Sequence, residues 1–251
     1  MSFIQASFWS PVLQKQAQMY VILPDVGQGP FPVYYLLHGL SDDHTIWHRR
    51  TSIERYVAQL PLIVVMPDGY RGFYTDNDIG PAYGRYITQD VIGFTQRAFP
   101  ARRERSGRCI GGLSMGGYGA VRLALAHPDL FVSANSHSGA LKAGYEGDFN
   151  KVEPEFQRIF GPNSKGSAHD CFALVEKLKK QRKPIPKLYL DCGTEDFLLD
   201  HNRGFTAHLK KLKIPHTYLE HPGNHEWAYW DQHVTEALAF HCKALGIKPM
   251  P

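Results

Sequence analysis

The sequence predicts an α/β fold, with a mostly parallel, twisted sheet covered by helices on both faces. Two observations predict it: short apolar runs typical of strands buried on both faces recur along the chain, and longer stretches with apolar residues about every 3.6 positions separate them. Strands that alternate with helices are typical of parallel sheets. The chain has 251 residues, 43% hydrophobic and 21% charged, which is enough to bury a sizeable core. We therefore expect a single domain spanning residues 1–251.

The predicted strands are apolar runs that end at turn residues. They cover residues 3–9, 18–23, 33–37, 62–66, 108–111, 131–134, 187–191 and 217–220. The first two flank Ser10 and Pro11, so we expect them to pair antiparallel. The predicted helices cover residues 52–60, 87–99, 116–126, 202–212 and 225–245. Residues 142–184 break this alternation and include a basic helix around 173–180, which predicts a short cap-like insertion near the edge of the sheet where active sites form.

Charge and cysteine usage exclude several classes of protein. The formal net charge is only +4 and the basic residues are scattered, so we expect no nucleic-acid partner. The four cysteines are widely separated, which favours reduced thiols and a cytoplasmic location. The N-terminal stretch lacks the pattern of a signal peptide, and no run approaches the ~20 apolar residues of a membrane span, so we expect no membrane association. A homo-oligomer stays open.

A glycine-rich motif at residues 111–117, GGLSMGG, carries the strongest chemical signal. It contains G-x-S-x-G between a predicted strand and a predicted helix. A serine on such a sharp turn has a strained backbone and needs small residues two positions before and after it, which Gly112 and Gly116 supply. A glycine-rich turn with an incidental serine is the alternative, but the strand–turn–helix context predicts that Ser114 is a nucleophile.

A serine nucleophile needs a histidine base held by an acid, and in an α/β-hydrolase arrangement the chain order is serine, acid, histidine. Asp196 follows the strand predicted at 187–191 and is our choice of acid, although a helix N-cap is a common use of such an aspartate. Glu195 is an alternative, and Asp191 and Asp200 are weaker ones, because one lies in the strand and the other begins the next helix.

His225, in the loop before the last helix, is the predicted base. His221 is its rival, but it ends the preceding strand and is followed by Pro222. A metal site on these two histidines is disfavoured, because Pro222 and Gly223 prevent a continuous helix between them and no neighbouring ligand spacing supports zinc. We therefore predict no metal.

An oxyanion hole needs two backbone N–H donors. One is expected from Met115, directly after the nucleophile. The other is expected from Leu40, because Gly39 lets the loop after the strand at 33–37 turn inward. Aromatic residues near these loops are candidates for the substrate pocket. The predicted substrate-binding residues are Gly39, Trp47, Phe73 and Tyr74.

Five segments together resemble the esterase D family of α/β-hydrolases: HGLSDDHTIW, MPDGYRGFYTD, GGLSMGGYGA, DCGTEDF and PGNHEWAYW. That family includes tributyrin and acetyl esterases, feruloyl esterases, S-formylglutathione hydrolases and mycolyltransferases. The resemblance spans nearly the whole chain. It implies an α/β-hydrolase fold and hydrolysis of carboxylic esters through Ser114, Asp196 and His225, with no cofactor.

Within that family the chain is similar to the compact tributyrin and acetyl esterases, which implies short-chain or small aromatic ester substrates. The residues around the base, NHEWAYW, differ from the DHSYYF-like run of S-formylglutathione hydrolases, which weakens a glutathione-thioester interpretation. A thioesterase and an acyltransferase would use the same three residues and stay as alternatives. A non-catalytic binding module is disfavoured, because such modules typically lack one of the three.

Overall fold

A sheet of eight strands runs through the computed structural model, which describes residues 1–145 and 154–250. Its strands are β1 (Ser2–Ser10), β2 (Lys15–Leu23), β3 (Val33–Leu37), β4 (Ile63–Pro67), β5 (Arg108–Gly112), β6 (Ser133–His137), β7 (Lys187–Gly193) and β8 (His216–His221). They lie in the order β1-β2-β4-β3-β5-β6-β7-β8. β2 is antiparallel to β1 and β4, and all other neighbours are parallel. The predicted fold class and the antiparallel first pair are confirmed.

Helices cover both faces of this sheet, as predicted. They are α1 (Ile46–Arg50), α2 (Ile53–Val57), α3 (Tyr83–Arg85), α4 (Ile92–Ala98), α5 (Met115–Ala126), α6 (Pro154–Phe160), α7 (Cys171–Lys180), α8 (Leu199–Lys211) and α9 (Trp227–Leu245). A π-helical turn, Tyr86–Val91, joins α3 to α4, and a 3₁₀ turn, Arg105–Gly107, precedes β5.

Alternate residues of β3 show how the two layers of core form. Tyr35 belongs to the same apolar cluster as Val121 of α5, whereas its neighbour Tyr34 belongs to a second cluster with Val234 of α9. Successive side chains of a strand point to opposite faces, so a strand that is apolar at every position must be buried on both. All five residues of β3 are buried.

Some boundaries differ from the predicted ones. β6 covers Ser133–His137 and not residues 131–134, because most of its side chains are polar and an apolar-run criterion does not detect them. The short helices α1, α3 and α6 were not predicted. Both α6 and α7 lie in the predicted insertion at 142–184, of which residues 146–153 are outside the described part.

Two further findings concern the chemistry of the chain. All four cysteines carry buried free thiols: Cys109, Cys171, Cys192 and Cys242. Among the helices of residues 1–145 and 154–250, none is both long and apolar enough to cross a membrane.

The parallel strands place four loops at one edge of the sheet. The loops follow the carboxyl ends of β3, β5, β7 and β8. They contain Gly39, Leu40, Ser114, Asp196 and His225, whereas Trp47 lies on α1 and Phe73 and Tyr74 follow β4. Ligands of open α/β sheets bind at this edge. The topology therefore collects residues that are up to 186 positions apart, from Gly39 to His225, in one region.

Candidate active site

Ser114 lies on a strained turn between β5 and α5. Its backbone has φ 53° and ψ −116°, a conformation that non-glycine residues rarely adopt. Its N–H donates to the carbonyl of His137, 2.9 Å away, which fixes the turn against β6. A Cβ atom on Gly112 or on Gly116 would lie 2.5 Å from the carbonyl oxygen of Leu37. Only glycine permits this close approach of backbones, as the sequence motif predicts.

Asp196 and His225 meet where β7 and β8 end. The His225 Nδ1 lies 2.8 Å from Asp196 Oδ2, and the N–H of Leu198 donates to Asp196 Oδ1 at 2.8 Å. Burial alone would raise the pKa of Asp196, but the hydrogen bonds from His225, Leu198 and Ser138 outweigh it, so its pKa is lowered. The aspartate is therefore ionised near neutral pH, and it favours the tautomer in which His225 Nε2 is free to accept a proton.

The alternative acids make other contacts. Glu195 is exposed and accepts from the N–H of Gly223 at 2.6 Å, and that hydrogen bond holds its pKa below the usual range. The fully buried Asp191 lies 2.6 Å from Nδ1 of His137. Asp200 is in the first turn of α8. Among the four acids considered, Asp196 is the one with a hydrogen bond to His225.

His221, the rival base, faces a different set of groups. Its Nε2 is 3.4 Å from Glu236 Oε2, and its ring stacks on that of His233 with centroids 4.1 Å apart. The structure thus directs His221 toward α9 and His225 toward Asp196. The two histidines do not share a partner in these contacts.

The loop after β3 lies directly beside the nucleophile. A Cβ atom on Gly39 would be 2.7 Å from the Leu113 side chain and 3.8 Å from Ser114 Cβ. Leu40 follows immediately and is partly exposed. Met115 opens α5, and the first N–H groups of a helix have no acceptor within it. Both predicted donor residues are therefore next to Ser114, either along the chain or through Gly39.

Two buried aromatic side chains hold this loop by its backbone. The hydroxyl of Tyr74 donates to the carbonyl of His38 and accepts from the N–H of the same residue, each at 3.0 Å. The indole N–H of Trp47 donates to the carbonyl of Leu37 at 2.9 Å. The His38 ring is also fixed, since its Nε2 accepts from the N–H of Gly69 at 2.8 Å.

The three aromatic residues predicted to line the pocket are deeply buried. The exposed fractions of Trp47, Phe73 and Tyr74 are 1%, 2% and 0%. Phe73 packs edge-to-face against Tyr118 and Phe160, within the core. The contacts described here are structural, and direct contact of these rings with a substrate stays a prediction.

Sequence reasoning missed two residues that surround the histidine. Phe197 is 75% exposed, yet its ring centroid lies 4.5 Å from that of His225. Trp230 approaches His225 edge-on at 4.8 Å and donates its indole N–H to Ser138 at 3.2 Å. Ser138 in turn contributes to the low pKa of Asp196. The signal for Phe197 was available, because an aromatic residue directly follows the chosen acid.

The chain is similar to known proteins over nearly its whole length. The Esterase family model matches residues 10–241. An acetyl esterase of Caldicellulosiruptor saccharolyticus is 33% identical over 97% of this chain and 99% of its own length.

Two solved structures from Staphylococcus aureus are similar along the whole chain. One is fluorophosphonate-binding serine hydrolase F, with a TM-score of 0.87 and 33% identity over 96% of this chain and 98% of that one. The other is an S-formylglutathione hydrolase, with a TM-score of 0.85 and 34% identity over the same shares.

Proposed function

The chain belongs to the esterase D family of α/β-hydrolases and is a serine carboxylic ester hydrolase. On that premise we propose that it cleaves short-chain or small aromatic esters through Ser114, His225 and Asp196. The observation that carries the proposal is the 2.8 Å hydrogen bond between His225 and Asp196, at the sheet edge that also carries the strained Ser114. Acyl transfer by a serine requires a histidine base that is hydrogen-bonded to a buried acid. Here that pair lies at the same edge of the sheet as the turn that carries Ser114.

The proposed reaction uses these groups in turn. His225 Nε2 accepts the Ser114 hydroxyl proton as the oxygen attacks the ester carbonyl. Asp196 keeps the proton on His225 Nδ1 and stabilises the imidazolium that forms. The imidazolium then protonates the leaving alcohol, which leaves an acyl-enzyme on Ser114. Water activated by His225 attacks that ester, and the acid is released.

The tetrahedral intermediates carry a negative oxygen that needs donors in place before it forms. We assign these donors to the N–H groups of Met115 and Leu40. The support is that Gly39 packs beside Ser114 and that Tyr74 and Trp47 tie the preceding backbone down. Fixed donors cost no reorganisation at the moment of reaction, which is why losing one typically costs 10²–10³ in kcat.

The preference for small acyl groups rests on the helices between β6 and β7. The apolar side of α7, including Phe172 and Val175, is buried in the core, whereas Lys177, Lys179 and Lys180 are exposed. This helix therefore offers no free apolar surface for a long acyl chain. Phe197, exposed beside His225, provides an aromatic surface at the rim that suits small or aromatic ester groups.

A series of p-nitrophenyl esters tests the acyl preference. Each acyl methylene that can be buried gains ~0.8 kcal/mol, so activity rises with chain length only while the pocket has room. We expect kcat/KM to be highest between acetate and butyrate and to fall steeply by octanoate. Methyl ferulate in the same panel tests the aromatic alternative. A maximum at decanoate or beyond would contradict the proposal.

A thioester hydrolase is the second candidate, because the solved S-formylglutathione hydrolase of Staphylococcus aureus is 34% identical to this chain. The same three residues would serve, so the substrate decides between the two. We expect a lower kcat/KM on S-formylglutathione than on p-nitrophenyl acetate, since the residues after His225 differ from those typical of that group. The opposite ranking would favour the thioesterase, and an ester product formed in the presence of added alcohol would favour an acyltransferase.

We also propose that residues 1–251 act as one domain and that the protein works in the cytoplasm. The two apolar clusters share the central strands of one sheet, which supports one domain. The four buried free thiols support a reducing compartment.

A further inference from the structure

A second group of histidine and carboxylate side chains lies on β8 and α9, separate from the proposed catalytic residues. It consists of His221, the last residue of β8, and of His233 and Glu236, which are three positions apart on α9. Residues with this spacing lie on the same face of a helix. One potential ligand atom from each of the three residues lies within 4.8 Å of the other two.

The side chains of this group lie close together, but one of their ring nitrogens makes no hydrogen bond. Glu236 Oε1 lies 2.9 Å from His233 Nδ1, and Glu236 Oε2 lies 3.4 Å from His221 Nε2. The hydroxyl of Tyr189 donates to Glu236 Oε2 at 2.8 Å and so holds the carboxylate in place. Nε2 of His221 is buried and makes no hydrogen bond within the described part of the chain. Glu236 Oε2, 3.4 Å away, does not satisfy this nitrogen by a hydrogen bond, and a bound cation between the two would.

We propose that His221, His233 and Glu236 bind one divalent transition-metal ion, for which Zn²⁺ is the best match. Two imidazoles and one carboxylate are a common zinc ligand set, with metal–ligand bonds of about 2.0–2.2 Å. Mg²⁺ and Ca²⁺ prefer oxygen ligands and are a poorer match. The Tyr189 hydroxyl supplies the kind of outer hydrogen bond that orients a metal-binding carboxylate.

The geometry needs only a local adjustment. Ligand atoms of a tetrahedral zinc ion are about 3.3 Å apart at these bond lengths. His233 Nδ1 lies 2.9 Å from Glu236 Oε1 and His221 Nε2 lies 3.4 Å from Glu236 Oε2, so each imidazole is near this value from one of the two carboxylate oxygens. The rings of His221 and His233 are nearly parallel, at 15°, and must tilt toward a common point. His221 and Glu236 are partly exposed, at 29% and 38% of their side chains, so an ion can enter from solvent and water can complete the coordination.

This ion would be structural and would take no part in ester hydrolysis. His225, whose Nδ1 bonds Asp196, is not one of its ligands. However, Pro222, Gly223 and Asn224 connect His221 to His225. An ion on His221 would therefore fasten the start of the proposed catalytic loop to α9 and stabilise the folded protein.

Isothermal titration of metal-free protein with ZnCl₂ tests the site. The unaltered chain is the parent protein, because no ester substrate is present during the titration. We expect one Zn²⁺ per chain and a rise in Tm on binding. In His221→Gln and in Glu236→Gln we expect affinity to fall by at least about tenfold, because each loses a ligand. Circular dichroism and Tm of the metal-free variants show whether they fold.

Two control variants separate this site from other histidines. His225→Gln should bind Zn²⁺ as the parent does. His208→Gln, which removes a partly buried histidine 3.2 Å from Glu176, should also leave binding unchanged. The absence of saturable binding at millimolar Zn²⁺, or its loss in His225→Gln alone, would overturn the proposal.

Anomalous scattering at the zinc edge gives a test that needs no variant. Crystals of the unaltered chain soaked in Zn²⁺ should show a peak among His221, His233 and Glu236. A peak at His225, or peaks at surface histidines alone, would overturn the proposal. The metal site does not include Ser114, so the two proposals can fail independently. Absence of bound Zn²⁺ would not contradict the proposed esterase activity, and absence of esterase activity would not contradict the proposed metal site.

Discussion

At the scale of single residues, the choice of acid depends on two adjacent carboxylates that point in different directions. Asp196 is 5% exposed and bonds His225, whereas Glu195 is exposed and bonds the backbone of Gly223. Sequence reasoning preferred Asp196 from its position after a strand but could not separate the two by geometry. Side chains of neighbouring loop residues point in different directions, and those directions are known only from the three-dimensional structure.

The first prediction uses this pair. Asp196→Asn should lower kcat by about 10⁴-fold, because an amide in that position favours the wrong tautomer of His225. Glu195→Gln is the matched control and should change kcat little, since its contacts are with Gly223 and Thr194. Steady-state kinetics on p-nitrophenyl acetate measures both. A larger loss in Glu195→Gln than in Asp196→Asn would show that the acid is wrongly assigned.

At the scale of structural elements, the loop after β3 depends on a hydroxyl that the sequence did not single out for this task. The sequence analysis considered Tyr74 a pocket residue, and the structure gives it two hydrogen bonds to the backbone of His38. The proposed donor Leu40 is two residues farther along. Its position therefore depends on a tyrosine 34 residues away in sequence, a contact that no local pattern encodes.

Removing that hydroxyl gives the second prediction. Tyr74→Phe should lower kcat by about 10-fold with little change in KM. A loosened N–H donor weakens the stabilisation of the oxyanion in the transition state and hardly affects substrate binding in the ground state. Tyr118→Phe is the control: it removes another buried hydroxyl, which donates to the carbonyl of His169 at 2.6 Å. If both variants lose kcat equally, the effect of Tyr74 is general destabilisation and not support of the loop.

The strand β6 shows where sequence reasoning fails at this scale. It is central and buried, yet Ser133, Asn135 and His137 are polar. Their partners come from distant segments: His241 of α9 lies 2.8 Å from the hydroxyl of Ser133 and 2.9 Å from Oδ1 of Asn135. Apolar strands can be recognised in the sequence, because burial of their side chains alone stabilises them. A polar buried strand is stable only with its partners, which here lie 54 to 108 positions away.

The His241 contact yields the third prediction. Burial lowers the pKa of His241 to about 3, whereas an unfolded histidine has a pKa of about 6.5. The unfolded state therefore binds a proton that the folded state does not. The contribution of His241 to the free energy of unfolding is fully present above pH 6.5 and is lost as pH falls toward 3. At pH 5 the loss from this group is about 2 kcal/mol.

Urea unfolding between pH 7 and pH 5 measures that loss. His241→Gln is the comparison, because glutamine does not titrate in this range. We expect the variant to be less stable at pH 7 but to show a shallower decrease in unfolding free energy with falling pH. Equal slopes in the two proteins would mean that His241 is protonated equally in the folded and unfolded states.

At the scale of the whole molecule, the order of the residues along the chain and the order of the strands in the sheet together bring the proposed catalytic residues to one edge. The serine, acid and histidine follow β5, β7 and β8, and parallel strands bring their carboxyl ends to one edge. This part could be predicted from sequence, since it needs only the strand pattern and the order of motifs. The edge-on contact of Trp230 with His225 and the group on His221 and α9 could not, because they depend on how β8 and the loop after it pack against α9.

The labelling of Ser114 by a fluorophosphonate tests the central claim most directly. Such reagents form a covalent bond with a serine oxygen that a histidine base has activated. Mass spectrometry of digested protein should find one adduct, on the peptide that contains Ser114, and Ser114→Ala and His225→Ala should abolish it. Labelling that persists in Ser114→Ala, or that maps to another serine, would contradict the account.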